Sequence, residues 1–225
     1  NSWVPQIQAS KFNAGEAYVV VNNYRQFDFK PYLFRTRNYG KSWERLLAKE
    51  PETFGYVHAL VQDPIEPKLL FLGTENGLYI SIDEGKNWEK WKNGFPTVPT
   101  TDLVIQPREH DLVIGTFGRA FYILDDIRPL RAIAAKGPSL LEEDFTLFTP
   151  PTAVQTLNQQ PSGTRFGANA MFNGENRRGG AMISYYLNKE SVEGKDKKAD
   201  PKGPVNKDSL FIHIYNSDGE TIRSI

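Results

Sequence analysis

The sequence contains no cysteine, which excludes a disulfide framework, a thiolate nucleophile and a zinc site built on cysteine. It also lacks an excess of either charge, because 27 Lys and Arg residues balance 27 Asp and Glu residues. A zero net charge gives no electrostatic footprint for nucleic acid or for an anionic membrane surface. No run approaches the roughly 18 apolar residues of a membrane-spanning helix. The sequence therefore predicts a protein that neither binds nucleic acid nor spans a membrane.

Signatures of catalysis and of cofactor binding are equally sparse. The three histidines, His58, His110 and His213, fall in separate parts of the chain. Neither a metal site nor a nucleophile–base pair is therefore predicted. The chain has no glycine-rich phosphate loop. We expect no cofactor and no metal, and we assign no catalytic residue.

The composition is that of an ordinary folded domain, with 39% hydrophobic and 24% charged residues in a chain of 225. Its first residues, Asn1 to Pro5, include neither an initiator methionine nor the apolar segment of a signal peptide. We therefore expect the chain to begin inside a larger protein.

What the sequence does contain is an eight-residue pattern that occurs twice. Residues 81–88, the second corner, read Ser-x-Asp-x-Gly-x-x-Trp, and residues 36–43, the first corner, repeat the pattern with Thr and Asn substituted. Each copy follows an apolar run and precedes a short polar one, as a hairpin turn does. The residues to which we assign a structural role in these turns are Thr36, Asn38, Gly40, Trp43, Ser81, Asp83, Gly85 and Trp88.

The residue types in the pattern have a physical reason. Asp83 or Asn38 accepts hydrogen bonds from the backbone amides of its own turn. Gly85 or Gly40 supplies the positive φ that a residue with a Cβ resists. The tryptophan at the end of the pattern then returns across the hairpin and covers it.

The pattern recurs at a period that indicates repeated small sheets. The two corner glycines lie 45 residues apart, within the roughly 40–50-residue period of β-propeller blades. Two dipeptides recur at a similar spacing. The Gly-Thr pair at 73–74 recurs at 115–116, and the Asp-Pro pair at 63–64 corresponds to the Gln-Pro pair at 106–107. Four short strands per repeat are typical of propeller blades.

Aligned on the corners, residues 1–135 form three units of four strands. The predicted strands are 7–10, 17–21, 32–35 and 42–47 in the first unit, 58–62, 69–73, 78–82 and 87–91 in the second, and 102–106, 111–115, 120–124 and 129–133 in the third. The third unit has no corner. Three blades are fewer than the roughly four to eight that close a propeller. The remaining blades, on the parent chain or on another fragment, are therefore an expected partner.

The pattern changes after residue 135. Residues 136–179 read as a linker or wrapping segment with a short helix at 139–142, where a capping-box sequence begins. Residues 180–225 form a second module, with alternating strands at 181–187 and 210–215, a solvated loop at 193–198 and a turn at 218–219. The fold class is therefore all-β, a partial β-propeller followed by part of a β-sandwich.

The corners resemble the Asp-box, or BNR repeat, of sialidase-like and sortilin-like propellers. Residues 63–81 and 98–119 further resemble the sortilin-like, glycosyl-hydrolase-designated repeat proteins of bacteria, and residues 181–187 with 218–219 resemble the start of their immunoglobulin-like domain. The resemblance implies an exported protein that is secreted, periplasmic or on the cell surface. Relatives often carry Thr-His-Gly-Arg where this chain has Phe117 at the second position, so no histidine acts there.

Ligand contacts are expected at the face opposite the corners, where the loops between second and third strands meet the loops between blades. The candidate ligand-face residues are Tyr24, Arg25, Phe27, Asp28, Phe29 and Arg119. The aromatic residues among them either stack on a sugar or peptide or pack down on a neighbouring blade. Arg119 either contacts a ligand or forms a buried salt bridge.

Three functions stay open from the sequence alone. The first is a non-catalytic scaffold in a cell-envelope assembly, which binds a protein or a glycan. The second is a glycoside hydrolase whose active site is shared with missing blades. Its available acids, Asp28, Glu75 and Asp102, show no pairing in the sequence, although such an enzyme needs two carboxyl groups across one bond. The third is a sorting or chaperone-like receptor for peptides.

Overall fold

A computed structural model describes residues 2–49, 52–153, 180–188 and 211–224. It divides into two compact units, Asn1–Leu187 and Asn188–Ile225, which are treated separately below. The predicted solvated loop at 193–198 and the linker residues 154–179 lie outside the described residues.

Three antiparallel sheets, each built from strands consecutive in sequence, make up most of the first unit. The first sheet contains β1 (Trp3–Ala9), β2 (Ala17–Asn23), β3 (Asp28–Thr36) and β4 (Glu44–Arg45). The second contains β5 (Val57–Gln62), β6 (Leu70–Thr74), β7 (Gly77–Ser81) and β8 (Glu89–Lys90). The third contains β9 (Thr100–Gln106), β10 (Asp111–Thr116) and β11 (Phe121–Leu124). Short 3-10 helices occupy Tyr24–Gln26 and Glu52–Phe54.

The first strands of the first two sheets lie side by side and run in the same direction. The Gln6 side chain on β1 accepts a hydrogen bond from the Leu60 amide at 2.6 Å and donates one to the Leu60 carbonyl at 2.9 Å. Two residues further along, the Gln8 side chain accepts from the Gln62 amide at 3.2 Å. Since both strands advance together, the second sheet repeats the orientation of the first.

The second and third sheets also approach closely. Thr100, at the start of β9, lies against Gly73 near the end of β6, and a Cβ on Gly73 would fall 2.5 Å from the Thr100 carbonyl oxygen. Only a residue without a side chain fits at that distance. The repeated Gly-Thr landmark therefore marks, at Gly73, a point of backbone contact between sheets.

Two apolar clusters fill the spaces between the sheets. The cluster between the first and second sheets includes Tyr18, Leu33, Leu60, Leu72 and Trp88. The cluster between the second and third includes Phe71, Ile80, Leu103, Leu112 and Ile114. Small antiparallel sheets of three or four strands in sequential order, stacked face to face in one orientation, indicate propeller blades. The chain contains part of a β-propeller, which confirms the predicted fold class. We call the three sheets blade 1, blade 2 and blade 3.

Both corners are hydrogen-bonded turns. In the second corner the Asp83 carboxylate accepts from the amides of Lys86 and Asn87 at 3.1 and 2.9 Å, while the Ser81 hydroxyl accepts from the Gly85 amide at 2.8 Å. Gly85 has φ +82°. Burial of Asp83 opposes ionisation, but the hydrogen bonds from Asn87, Ser81 and Lys86 outweigh it and lower the pKa of this carboxyl. Asp83 thus stays ionised and holds the turn.

The first corner repeats two of these three hydrogen bonds with neutral groups. The Asn38 side-chain oxygen accepts from the Ser42 amide and the Thr36 hydroxyl from the Gly40 amide, both at 2.9 Å. Gly40 has φ +79°.

The two corner tryptophans have very different surroundings. Trp88 is 7% exposed and packs in the cluster between blades 1 and 2, whereas Trp43 is 47% exposed. A Cβ on Gly85 would lie 3.1 Å from the Leu46 side chain of blade 1, so the second corner sits directly on the preceding blade. Among the described residues, no side chain of another blade lies against Gly40, whose nearest neighbour is Trp43 of the same corner.

This difference makes the two tryptophans a matched pair. Trp88→Ala is expected to lower the free energy of unfolding by about 3–5 kcal/mol, because it leaves a cavity between blades. Trp43→Ala is expected to cost about 1 kcal/mol or less. Urea titrations of both variants measure this, and equal losses would contradict the different packing of the corners.

The predicted fourth strand of blade 3 at 129–133 is wrong, because these residues belong to helix α1 (Arg128–Lys136). Pro129 stands in the first turn of this helix, where its missing N–H costs nothing. The Arg131 Nε donates to both carboxylate oxygens of the fully buried Asp63, at 3.0 and 2.8 Å. Its Nη1 donates to Nδ1 of His110 at 2.7 Å. This buried pair fixes α1 against blade 2 and the β9–β10 turn.

Breaking this pair should be costly. Asp63→Asn is expected to destabilise the protein by about 3–5 kcal/mol, because it leaves the Arg131 charge buried without its counter-ion. Arg108→Ala, which removes the exposed partner of Glu109, is the control and should cost under about 1 kcal/mol. Thermal denaturation of both variants provides the comparison. A melting temperature of Asp63→Asn equal to that of the control would contradict the role given to the pair.

The remaining described elements are short. A 3-10 helix at Pro138–Glu142 confirms the short helix predicted at 139–142. β12 (Phe145–Leu147) pairs with β13 (Tyr185–Leu187), and in the second unit β14 (His213–Tyr215) pairs with β15 (Thr221–Ser224) across the 218–219 turn. The division of the chain into residues 1–135, 136–179 and 180–225 stays a prediction. No helix among the described residues is long and apolar enough to cross a membrane.

Candidate functional site

The blades have two different ends. At one end, the loop end, the β6–β7 hairpin meets the start of β5, where the Glu75 amide donates to the Tyr56 carbonyl at 3.0 Å. At the same end of blade 3, the Phe117 amide donates to the Pro99 carbonyl at 2.9 Å. The candidate ligand-face residues all lie on hairpins of the loop end.

The opposite end carries the corners. There the Tyr39 amide donates to the Gly15 carbonyl and the Glu84 amide to the Lys68 carbonyl, both at 3.0 Å. Each corner is thus tied to the first hairpin of its own blade.

Tyr24 packs against the neighbouring blade. Its ring stacks on that of Tyr56, with centroids 5.1 Å apart and planes at 18°. Phe29 lies 6.3 Å from the same Tyr56 ring, tilted by 45°, but remains exposed. The packing alternative therefore applies to Tyr24, while Phe29 keeps a free surface.

Phe27 is the most unusual residue of this end. It is 88% exposed and adopts φ +58° at the tip of the β2–β3 hairpin. The left-handed conformation costs a residue with a Cβ about 1–2 kcal/mol. The fold gains no burial from this aromatic side chain in return.

Arg25 lies between two aromatic rings. Its guanidinium carbon is 5.6 Å from the centroid of Trp3 and 5.4 Å from that of Tyr24. Its Nε donates to the Tyr24 hydroxyl at 2.9 Å. Beside it is a cavity of about 180 Å³. The residues that line this cavity are Ser2, Trp3, Asn22, Asn23, Arg25 and Gln26.

Asp28 is engaged within its own hairpin. Its carboxylate accepts from the Tyr32 hydroxyl at 2.8 Å, the Asn23 amide group at 3.3 Å and the Lys30 backbone amide at 3.3 Å. The hydrogen bond from Tyr32 is the largest influence, and it lowers the pKa of Asp28. Asp28 is therefore an ionised carboxylate that shapes the hairpin.

Sequence reasoning missed a polar cluster on blade 2. Glu75 lies 2.9 Å from Nε2 of His58, and the ring of His58 meets the edge of Tyr56. Burial, followed by a hydrogen bond to Glu75 and the Glu75 charge, raises the pKa of Tyr56 to about 12. The alignment of the blades could have predicted this cluster, because it places the start of β5, with His58, beside the β6–β7 turn, with Glu75.

The other candidates are more isolated. Arg119 is exposed at the β10–β11 turn, and none of the salt bridges in the described part of the chain includes it. Asp102 accepts a hydrogen bond from the Leu103 amide at 2.8 Å. The three acids considered for a hydrolase thus stand on three different blades. Within the described ranges, no three His, Asp or Glu side chains gather closely enough to hold a metal ion.

The cluster on blade 2 can be tested by titration. Glu75→Gln removes a carboxylate beside the Tyr56 hydroxyl, so the pKa of Tyr56 is expected to fall from about 12 toward its ordinary value. In the wild type, this tyrosine favours the folded state below pH 10, and the contribution is lost as pH rises toward 12.

Ultraviolet absorbance of tyrosinate measures these pKa values. Tyr18, whose pKa is raised to about 12 chiefly by burial between blades, is the internal control and should not move in Glu75→Gln. An unchanged titration curve would show that Glu75 does not act on Tyr56.

Comparison with known proteins gives fold likeness only. No protein-family model and no curated protein matches the chain. Among solved structures, it is similar to a GH74 enzyme from Niastella koreensis, at 22% identity and a TM-score of 0.44 over 55% of this chain and 21% of that one. It is similar to the GH74 xyloglucanase of Xanthomonas campestris, at 17% identity and a TM-score of 0.42 over 55% of this chain and 22% of that one. It is also similar to an ancestral GH74 enzyme, at 17% identity and a TM-score of 0.42 over 52% of this chain and 14% of that one. The chain thus spans about a fifth or less of each enzyme's length.

Proposed function

We propose that these blades belong to an exported β-propeller that binds a glycan or a protein at its loop end and serves as a scaffold. The observation that supports this proposal is the set of aromatic side chains left in solvent there. Those exposed at this end are Trp3, Phe27, Phe29 and Phe117. Aromatic rings offer large apolar area at low conformational cost, and exposed clusters of them are typical of binding surfaces.

The backbone of Phe27 strengthens this argument. A left-handed conformation at a bulky residue persists only when something compensates for it, and such residues concentrate at functional sites. The Phe27 N–H donates to the Tyr24 carbonyl at 3.1 Å and closes the 3-10 helix, but the side chain is 88% exposed and gains no burial. A bound ligand that covers the ring would supply the missing burial.

The acid of the β2–β3 hairpin does not suit the general-acid role of a glycosidase. A glycosidase general acid must be protonated near neutral pH. The hydrogen bonds on Asp28 instead lower its pKa. A glycoside hydrolase whose remaining acids lie on other blades is the alternative, and it is an outcome of the test below.

The proposed scaffold includes further blades, from the parent chain or another fragment. Blade 1 turns an apolar face away from blade 2. The side chains of this face, which alternate with those of the buried cluster along β1, β2 and β3, are Ile7, Val19, Val21, Tyr32 and Phe34. Blade 3 ends in a similar face, with Val104 and Ile123 exposed and paired through Val113. A further blade packed on each of these two faces would bury its apolar side chains, in the same way that blades 1 and 3 bury the two faces of blade 2.

Phe27→Ala tests the loop end, and Tyr39→Ala is its matched control. Tyr39 is also an exposed aromatic residue at φ +58°, but it lies at the corner end. Glycan-array and pull-down screens with the wild-type chain identify a ligand. We expect Phe27→Ala to weaken its binding by about tenfold or more, and Tyr39→Ala to leave it unchanged.

Two results would contradict the proposal. One is equal binding by the two variants. The other is release of reducing sugar that is lost in Asp28→Asn or Glu75→Gln, which would favour the hydrolase.

A further inference from the structure

We propose that Arg25 and the adjoining cavity bind the carboxylate of an acidic sugar, so that the ligand of the loop end is a glycan containing uronic acid. This inference rests on the proposed binding role of the loop end and specifies its ligand class.

The Arg25 guanidinium is already held in place before a ligand arrives. The rings of Trp3 and Tyr24 lie at 5.6 and 5.4 Å from it, and Nε is committed to the Tyr24 hydroxyl at 2.9 Å. The two terminal nitrogens then present the end of the planar fork, which matches the two oxygens of a carboxylate. Because the side chain is clamped, less conformational entropy is lost on binding.

Among the described residues, no carboxylate forms a salt bridge with this fork. The nearest acid in sequence, Asp28, accepts hydrogen bonds from Tyr32, Asn23 and Lys30. The local charge therefore favours an anion.

The cavity beside Arg25 suits a sugar. Its volume of about 180 Å³ has room for roughly six water molecules, which is enough for a carboxylate and the edge of the ring that bears it. Apart from Arg25 and Trp3, the lining residues are neutral and polar, namely Ser2, Asn22, Asn23 and Gln26. Aromatic area next to a few polar groups is typical of sites that orient a small ligand.

Two asparagine side chains at this site have buried acceptor oxygens that are not hydrogen-bonded to any described residue. Asn22 is 3% exposed, and the side-chain oxygens of Asn22 and Asn23 are buried with no donor among the described residues. Buried carbonyl oxygens in proteins are normally hydrogen-bonded. These oxygens have almost no solvent-accessible surface, so a ligand hydroxyl reaches them only when the side chains turn from Val57 and Asp28 toward the cavity. Sugars supply several hydroxyls next to the carboxylate.

The test compares two ligands that differ in charge and by one methyl group on each carboxyl. Binding of a galacturonate trisaccharide and of its methyl ester is measured by calorimetry on the whole chain. The acid is expected to bind about tenfold or more tightly than the ester, and only its binding should weaken as ionic strength rises. Arg25→Gln is expected to remove the difference. Arg25→Lys should restore it only in part, because lysine lacks the planar fork.

Arg108→Gln is the control, because Arg108 is an exposed arginine in the turn between β9 and β10, away from the loop end. It is expected to leave the preference for the acid in place. Unchanged melting temperatures of the Arg25 variants show that they remain folded.

Several results would overturn the inference. Equal binding of acid and ester, or a preference that survives in Arg25→Gln, removes Arg25 as the recognition group. A hexaglutamate peptide that binds as tightly as the trisaccharide removes the sugar from the proposal. If no galacturonate binds while Phe27→Ala still loses the ligand found by screening, this inference fails and the proposed function stands.

Discussion

A single blade exposes both of its faces to water. The packing of one blade on the next is therefore the constraint on which the structure depends. The clearest example is the second corner, where Trp88 enters the cluster between blades 1 and 2. Gly85 allows Leu46 of the preceding blade to approach the turn directly. Gly73 likewise lets blade 3 approach blade 2 at Thr100. The glycines of the repeat therefore serve the contacts between blades as well as the turns within them.

This constraint separates the two ends of the blades. At the corner end, side chains such as Asp83 and Arg35 form hydrogen bonds that stabilise the fold. Arg35 is buried, and its guanidinium donates to Glu44 of its own blade and to the Glu84 carbonyl of the next. On the hairpins of the loop end, Phe27 lies in solvent and Arg25 forms no salt bridge with any carboxylate among the described residues. Binding is therefore expected where the fold makes the least use of its side chains.

Much of the fold could be predicted from the sequence, because its signals are local. The Asp and Gly positions of the corners specify a turn within eight residues, and their spacing specifies repeated blades. The strand at 129–133 was wrong because its apolar residues suit either structure, and the choice was made by a distant contact between Arg131 and Asp63. Alternation alone does not distinguish these two outcomes.

The site was harder to predict than the fold. Arg25, Phe27 and Phe29 were found because the loop that holds them is longer than its equivalent in blade 2. The stacking of Tyr24 on Tyr56 and the contact of His58 with Glu75 join residues from different hairpins, and no short motif marks them. The clamp on Arg25 depends on Trp3, which is distant in sequence and comes close only because β1 pairs with β2.

Native-state hydrogen exchange at the corner amides tests most directly whether packing between blades holds this structure together. The amides of Gly85 and Asn87 in the second corner are expected to exchange only through openings close to global unfolding, because Trp88 seals that turn against blade 1. The amides of Gly40 and Ser42 make equivalent hydrogen bonds in the first corner, where Trp43 is exposed, and should exchange through much smaller openings. Equal protection of the two corners would contradict the account, since it would show that each turn is stable without a neighbouring blade.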